Sequence, residues 1–368
     1  MLYFVLIMWK NEKLSNCFQI SGKEQKIGAY VLRKVSFIVF FYNFWKFCIK
    51  CGVCPCLALF FSGISVSLCR NRKNFCTMKK ISNEQLSVCV NDKGAELCSV
   101  VRNSDGREFL WQANPEYWGR HSPVLFPIVG SLWNKEMHQD GAVYHMNQHG
   151  FARDTDFTCI DSTLDSVTHQ IRSTEETKEV YPFDFVLRIR HILKGRTLTV
   201  SWKVANNSDT DMYFAIGGHP AFRVPVLPDT RRSDYRLTFD GQESLTYLLL
   251  DPESGTAKAE KKATLKLENG TCQIEDHMFD HDALVFDNQI TRAGIQLPDG
   301  TPYLELRCVG FPNFGIWSAS QDAPFVCLEP GMGRCDDCGF TGDLSEKPFI
   351  NHLKMDEMFE TAYTIEIF

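Results

Sequence analysis

One histidine and one glutamate carry the strongest chemical signal in this sequence. His219 lies in the segment Gly217–Phe222, where glycines let the backbone approach a ligand and Pro220 fixes a turn after a strand. Glu329 comes at the end of the apolar run Phe325–Leu328, directly before a proline. A histidine titrates near neutral pH, and partial burial at the mouth of a strand raises the pKa of a carboxyl group. The two side chains therefore form a minimal set for moving two protons on one substrate.

Each of these residues also has a purely structural interpretation. A histidine in a tight turn can serve only to hydrogen-bond that turn, and a glutamate at a strand end often lies on the surface. The elements around them must decide, because a proton-transfer pair needs both side chains in one cleft.

Strand patterns dominate the chain after residue 77. Leu198, Val200, Trp202 and Val204 alternate with polar residues, which indicates a half-buried strand. Further predicted strands are Phe183–Ile189, Leu86–Val90, Tyr213–Ile216, Tyr235–Phe239, Ala283–Phe286, Tyr303–Val309, Phe314–Ala319, Phe325–Leu328 and Ala362–Phe368. Long amphipathic helix patterns, repeats, phosphate loops and dinucleotide fingerprints are absent from the sequence. We therefore predict an all-β fold, a large antiparallel β-sandwich, as one domain from Met78 to Phe368.

Composition excludes several classes of function. The 368 residues are 44% hydrophobic and 23% charged, which is ample for a sizeable core, and the net charge is -6. This mildly acidic balance predicts no binding of nucleic acid and no membrane association for residues 78–368.

Residues 1–77 differ from the rest of the chain. They hold seven of the 15 cysteines and the long apolar stretches Val35–Trp45 and Cys51–Cys69. The spacing of Cys48, Cys51, Cys54 and Cys56 resembles a metal or iron–sulfur motif, but its apolar setting does not suit one. We interpret the segment as an artefactual or poorly ordered extension, with a signal anchor as the competing hypothesis. The eight later cysteines are scattered and form no disulfide framework, which predicts a reducing compartment, the cytoplasm.

Five motifs follow one another along residues 78–368: Tyr117–Pro127, Gln148–Asp154, Gly217–Phe222, Asp280–Phe286 and Leu328–Pro330. The series resembles the aldose 1-epimerase (galactose mutarotase-like) family, most closely its divergent bacterial branch. The resemblance covers nearly all of residues 78–368 and none of residues 1–77. It implies a supersandwich with an open carbohydrate-binding cleft and interconversion of the α and β anomers of an aldose, without metal or other cofactor.

The resemblance also implies roles for individual side chains. Glu329 corresponds to the base that takes the proton of the anomeric hydroxyl, and His219 to the acid that protonates the ring oxygen. His149 resembles a second histidine that bonds near the ring oxygen. Asp282 resembles an aspartate that holds sugar hydroxyls, with Asp280 as the alternative register.

Two arginines bear on the identity of the sugar. Arg120 and Arg153 offer planar donor groups suited to sugar oxygens or phosphate. Arg153 resembles an arginine of the hexose-6-phosphate mutarotase branch, so a phosphorylated sugar is one predicted substrate. The competing interpretation is a salt bridge from Arg153 to Asp154 or Asp156.

The sequence thus predicts an isomerase of carbohydrate metabolism acting on a hexose or related aldose. Three alternatives stay open at this level: a hexose-6-phosphate mutarotase, a carbohydrate-binding sandwich without catalysis, and a glycoside hydrolase. The last needs two carboxylates flanking the bond, whereas the predicted partner of Glu329 is a histidine. The oligomeric state is not predicted.

Overall fold

The computed structural model of this protein describes residues 78–368. The predictions made for residues 1–77, an extension or signal anchor with a cysteine motif, lie outside the described residues. Within the described part of the chain, no helix is long and apolar enough to cross a membrane.

Strands make up nearly all of the regular structure. In chain order they are β1 Met78–Ser82, β2 Leu86–Asn91, β3 Leu97–Arg102, β4 Arg107–Glu108, β5 Val124–Leu125, β6 Glu136–Gln139, β7 Ala142–His145, β8 Thr158–Ser162, β9 Ser166–Arg172, β10 Phe185–Lys194, β11 Thr197–Asn206, β12 Met212–Phe214, β13 Ile216–Gly218, β14 Ala221–Arg223, β15 Arg236–Phe239, β16 Ser244–Leu250, β17 Ala257–Lys266, β18 Thr271–Gln273, β19 Leu284–Asp287, β20 Arg292–Gln296, β21 Pro302–Arg307, β22 Asn313–Trp317, β23 Phe325–Met332, β24 Asn351–Leu353 and β25 Met358–Ile367. The one α-helix among residues 78–368 is α1, Glu175–Lys178, and short 3-10 turns occur at Trp133–Lys135, Ala152–Asp154, Arg232–Asp234 and Leu344–Glu346.

Two large sheets dominate the fold. One has nine strands in the order β18-β15-β20-β21-β25-β11-β10-β9-β8. The other has eight, in the order β17-β16-β19-β22-β23-β13-β5, with β14 also paired to β23. A four-stranded sheet β1-β2-β3-β4 and two strand pairs complete the set, and all the strand ladders are antiparallel. The predicted all-β fold built from antiparallel sheets is confirmed.

Alternation of buried and partly exposed side chains defines the inner face of the nine-stranded sheet. In β11, the side chains of Leu198, Val200, Trp202 and Val204 are almost wholly buried, as the sequence pattern predicts. They join one apolar core with residues of the eight-stranded sheet, including Phe314 of β22. The eight-stranded sheet is therefore held in place by the packing of one of its faces against this core.

The opposite face of that sheet is the one that carries polar chemistry. In β23, Val326 and Leu328 belong to the main core, while Phe325 and Cys327 join a separate small apolar cluster. Because side chains alternate along a strand, Glu329 lies on the same face as Cys327. The strand period thus places Glu329 outside the main core.

The predicted end of one strand and the predicted continuity of another are wrong. Glu329 was expected at a strand end, because proline is disfavoured within a sheet, yet β23 continues through Met332. The predicted strand Tyr213–Ile216 is interrupted at Ala215, whose N–H donates to the carbonyl of Pro127 at 2.7 Å. β12 therefore pairs with β24, while β13 pairs with β23 and β5.

Candidate active site

The register of three strands brings His219 opposite Glu329. β13 pairs Gly217 with Gly331, and β14 pairs Ala221 with Cys327, so both strands flanking His219 bind to β23. His219 lies midway between Gly217 and Ala221, and Glu329 lies midway between Cys327 and Gly331 on the facing strand β23. Their side chains meet with His219 Nε2 and Glu329 Oε1 3.3 Å apart.

Glu329 is held on its other side by a glycine. β22 pairs Gly315 with Glu329, and a Cβ at Gly315 would lie 3.2 Å from both the Cβ and Oε2 of the glutamate. Only a glycine leaves the carboxyl group this space without displacement. Burial raises the pKa of Glu329 to about 8, and the neighbouring charge of Asp282 adds to the increase.

His219 is enclosed by two tryptophans. Its ring stacks on Trp118 with the centroids 4.8 Å apart, and the ring of Trp317 meets it edge-on at 5.6 Å. Burial, helped by the charges of Arg153 and Arg120, lowers the pKa of His219 to about 3. Burial thus disfavours the charged form of both side chains, so these pKa values favour a protonated Glu329 and a neutral His219 at neutral pH.

His149 lies beside this pair in a left-handed turn. Its φ is +67°, and the next residue, Gly150, has a φ of +68° with no room for a side chain, because a Cβ would lie 2.3 Å from the carbonyl oxygen of Phe126. The N–H of Gly130 donates to His149 Nδ1 at 3.1 Å, so the neutral ring carries its proton on Nε2. Burial, followed by the charge of His219, holds the pKa of His149 well below its usual range. The ring lies 5.5 Å from that of His219 and can act only as a neutral donor.

The structure distinguishes the two candidate aspartates. Asp282, with a φ of +73°, lines the same cavity as His219 and Glu329, and its Oδ1 accepts the N–H of Ala283 at 2.8 Å. Asp280 instead bonds His277 at 2.7 Å and does not line that cavity. Asp282 is therefore the one of the two aspartates that faces the cavity.

These residues surround a cavity of about 370 Å³ on the outer face of the eight-stranded sheet. This volume lies in the range of small-molecule sites. Its wall combines the polar groups described above with aromatic and apolar side chains, including Trp118, Trp317 and Val285. We call this space the central cavity.

The two arginines predicted to bind substrate lie in different places. Arg153 lines the central cavity, donates to the carbonyl of Gln148 at 2.7 Å, and has a buried Nε without a hydrogen-bond partner among the described residues. Burial and then the charge of Arg120 lower its pKa to about 10. Arg120 lines an adjoining cleft of about 400 Å³ and pairs with Asp154 at 3.0 Å. Asp154 also lies 3.8 Å from Arg153 Nε, so the predicted salt bridge to Asp154 is present as well.

Sequence reasoning missed several residues of the cavity wall. Trp317 alternates with Gly315 on β22, a pattern that could have placed both on one face of the strand. Arg334 and Asn313 also line the cavity, and both bind Asp287, at 3.2 Å and 2.8 Å. No sequence signal marks Arg334, because it lies in an irregular segment after β23.

The arrangement supports acid/base chemistry on a small polar ligand. The His219–Glu329 pair, the neutral His149 donor and the Asp282 carboxyl group converge on the central cavity, with two indole rings beside them. A pair of groups with pKa values moved far apart by their surroundings is a common sign of acid/base function.

Comparison with known proteins identifies the family of this chain. A family model described as aldose 1-epimerase matches residues 78–341. The chromosomal LacX protein of Lactococcus lactis subsp. lactis is 30% identical over 300 residues, which cover 78% of this chain and 98% of LacX. The X-ray structure of a galactose mutarotase related enzyme from Lactobacillus acidophilus is 32% identical, covers 79% of this chain and 97% of its own, and has a TM-score of 0.76. A galactose mutarotase-like protein from Lactobacillus casei ATCC 334 is 28% identical, covers 79% of this chain and all of its own, and has a TM-score of 0.73. The family predicted from the order of the motifs is confirmed, and the chain belongs to the aldose 1-epimerase family.

Proposed function

We propose that the protein is an aldose mutarotase, which interconverts the α and β anomers of a hexose or related aldose. The observation that carries the proposal is the His219–Glu329 pair, whose Nε2 and Oε1 atoms lie 3.3 Å apart at the wall of a cavity of small-molecule size. Anomer exchange requires one proton to leave the hydroxyl on C1 and one to reach the ring oxygen. Both oxygens are bonded to the same carbon, so an acid and a base only a few ångströms apart can serve both.

The reaction begins with a transfer inside the pair. The proton on Glu329 moves to Nε2 of His219, which leaves a carboxylate beside an imidazolium. Glu329 then takes the proton of the C1 hydroxyl while His219 gives its proton to the ring oxygen. The bond between C1 and the ring oxygen breaks, C1 becomes an aldehyde, and rotation about the bond from C1 to C2 followed by reversed transfers closes the other anomer. A carboxyl group with a pKa of about 8 can both hold and release a proton near neutral pH, as this sequence of transfers requires.

His149 and Asp282 position the sugar in this proposal. The Nε2–H of His149 donates to the ring oxygen or an adjacent hydroxyl, because its Nδ1 is engaged by Gly130. Asp282 accepts hydrogen bonds from hydroxyl groups on the same side of the central cavity as Glu329, whose pKa it influences.

The test is anomer exchange by NMR magnetisation transfer on the full chain, with glucose, galactose and their 6-phosphates, each against buffer alone. We expect faster exchange with at least one sugar. Glu329→Gln should remove most of the acceleration, by about 100-fold or more, since general acid/base catalysis contributes that much. Asp282→Asn should weaken sugar binding, with Asp280→Asn as its matched control outside the cavity.

A folded protein that binds sugars without accelerating exchange would refute the proposal. It would leave a carbohydrate-binding sandwich without catalysis, in which Glu329→Gln would have no effect on turnover. A fully active Glu329→Gln variant would refute the role of the pair even if the wild-type protein were a mutarotase.

A second candidate is a mutarotase of hexose 6-phosphates. Its specific support is Arg153, whose buried Nε lacks a hydrogen-bond partner among the described residues while its side chain borders both the central cavity and the adjoining cleft. Arg120 and Lys93 also line that cleft, so three cations border it, together with the carboxyl groups of Glu96 and Asp154. Asp154 offsets part of this charge through its contacts with both arginines.

The 6-phosphate proposal predicts a ratio of rates. With wild type, glucose 6-phosphate or galactose 6-phosphate should exchange faster than the free sugar at equal concentration. Arg153→Gln should reduce that ratio by about tenfold or more, the effect of losing one charge-assisted hydrogen bond. Arg188→Gln is the control, because Arg188 bonds Gln170 on the nine-stranded sheet. Equal rates for phosphorylated and free sugars would refute it and leave the general mutarotase.

We also propose that the protein works in the cytoplasm. The support is chemical: eight cysteines in residues 78–368 are free thiols, which suits a reducing compartment. Cell fractionation with an antibody against the full chain tests this, and recovery from the secreted or membrane fraction would contradict it.

A further inference from the structure

A thiol lies directly beside the His219–Glu329 pair. Cys327 precedes Glu329 by two residues in β23, so its side chain lies on the same face of the strand. It is fully buried, and its Sγ, a ring nitrogen of His219 and a carboxylate oxygen of Glu329 all lie within 4.8 Å of one another. Among residues 78–368 this is the one cluster of histidine, cysteine and carboxylate side chains with such spacing.

The three groups are a ligand set for a borderline or soft divalent metal ion. Zn²⁺ binds thiolate at about 2.3 Å and imidazole or carboxylate at about 2.0–2.2 Å, so neighbouring ligand atoms in a tetrahedral site lie about 3.3–3.7 Å apart. His219 Nε2 and Glu329 Oε1 already have this separation, at 3.3 Å. Closing the remaining separation to Cys327 requires a shift of about 1 Å at most, within reach of small side-chain rotations.

One proposed ligand atom of the cluster also lacks a partner. The buried Oε1 of Glu329 has no hydrogen-bond partner among the described residues. Buried polar atoms are normally satisfied, and an unsatisfied one often marks a site for a ligand. The side chain of His219 is only 8% exposed, and it reaches the central cavity, which gives an ion a path of entry.

We propose that His219, Cys327 and Glu329 bind one Zn²⁺ or Cd²⁺ ion, and that the ion lies between the acid and the base and blocks the active site. On binding, the ion gives up water ligands, Cys327 loses its thiol proton and the pair loses its single proton, and both protons pass to the buffer. The charge of +2 then balances one thiolate and one carboxylate beside a neutral imidazole. The buried site has no net charge before or after binding, which avoids the large cost of an uncompensated buried charge.

The binding test uses Co²⁺ as a spectroscopic probe on the full chain. Cobalt held by a thiolate gives an intense charge-transfer absorption in the near ultraviolet, which a site made only of nitrogen and oxygen ligands lacks. We expect one equivalent of Co²⁺ to produce this band in the wild type, and excess Zn²⁺ to abolish it. The band should disappear in Cys327→Ala and in Cys327→Ser, the second variant being kept because it preserves the size of the side chain.

Cys335 supplies the matched control. It is also a buried cysteine, and it lines the central cavity away from the cluster. Cys335→Ala should keep the band and its stoichiometry. Absence of the band in folded wild type, or its survival in both Cys327 variants, would overturn the proposed site.

Inhibition is a separate readout that rests on the proposed mutarotase function. Zn²⁺ should slow anomer exchange, and a chelator should restore it. Relative to its own metal-free rate, Cys327→Ser should need at least about 100-fold more Zn²⁺ for half inhibition, because losing a ligand costs more than losing an outer-shell contact. A protein without mutarotase activity in the absence of metal would refute the proposed function but leave the cobalt result to decide the metal site.

Discussion

Replacing Glu329 with glutamine is expected to stabilise the folded protein at alkaline pH while it removes the proposed base. Burial raises the pKa of Glu329 from its ordinary value of 4.5 to about 8. Between these two values the folded state holds a proton that the unfolded state has lost, so the stability of the wild type falls as pH rises. The pKa difference between the two states corresponds to a total loss of stability of about 5 kcal/mol once the pH exceeds 8, at about 1.36 kcal/mol per pKa unit.

His219 has the opposite effect over a lower range of pH. Its pKa falls from an ordinary value of 6.5 to about 3, so between these values the unfolded state holds the extra proton and stability rises with pH. The two effects cancel between about pH 4.5 and 6.5. Of the pair, only Glu329 titrates differently in the folded and unfolded states between about pH 6.5 and 8, and over this range it should cost the wild type about 2 kcal/mol of stability.

The assay is urea unfolding of wild type and Glu329→Gln at pH 6.5 and pH 8.5. The free energy of unfolding of the wild type, relative to that of the variant, should fall by about 2 kcal/mol over this interval. Groups common to both proteins cancel in the comparison. Glu175→Gln is the control, since that side chain is 92% exposed.

A wild type and a Glu329→Gln variant with parallel pH profiles would refute the reasoning. Such a result would mean that Glu329 is ionised in the folded state at neutral pH.

Three further predictions follow from the same structure. Anomer exchange should decline as pH rises through about 8, because the His219–Glu329 pair then loses its proton. The rate should hold steady in mildly acidic buffer, because the imidazole of His219 becomes charged only near pH 3. A pH profile of the buffer-corrected rate measures both effects, and an alkaline optimum would contradict them. Gly315→Ala should cut turnover by about tenfold or more, because the new Cβ would lie 3.2 Å from the carboxyl group of the proposed base, Glu329, and would displace it. Unchanged exchange rates would show that the position of this carboxyl group is not critical. Lys347→Met should lower the free energy of unfolding by about 3–5 kcal/mol, because it leaves the buried carboxylate of Asp336 without its ion-pair partner. A decrease of less than about 1 kcal/mol in urea unfolding would contradict this prediction.

The sequence determined the types of the catalytic candidates and the strand pattern that carries them. Alternation in β11 and the apolar run of β23 follow directly from the need to bury one face of each strand. The glycines before His219 and the histidine-glycine step at His149 also mark their turns without reference to distant residues. Local chemistry is enough for such predictions, since each depends on neighbours within a few positions.

Tertiary structure decided the extent of β23. The proline after Glu329 predicted a strand end, because proline cannot donate a ladder hydrogen bond. The N–H of Leu328 points to the carbonyl of Pro220, so the nitrogen of Pro330, two residues on, points to the same side. The pairing of β23 with β13 ends at Gly217 opposite Gly331. Pro330 lies just beyond this last pair, so the strand tolerates its missing N–H donor.

Tertiary structure alone also decided which distant residues meet. His219 and Glu329 are brought opposite each other by the pairing of β13 and β14 with one strand, a register that no local pattern records. The same long-range pairing puts Cys327 beside them, and the path of irregular segments puts Arg153 in the central cavity and Arg120 in the next cleft. A sequence specifies the face that each strand buries, whereas the contacts between faces depend on packing energies summed over the whole sandwich.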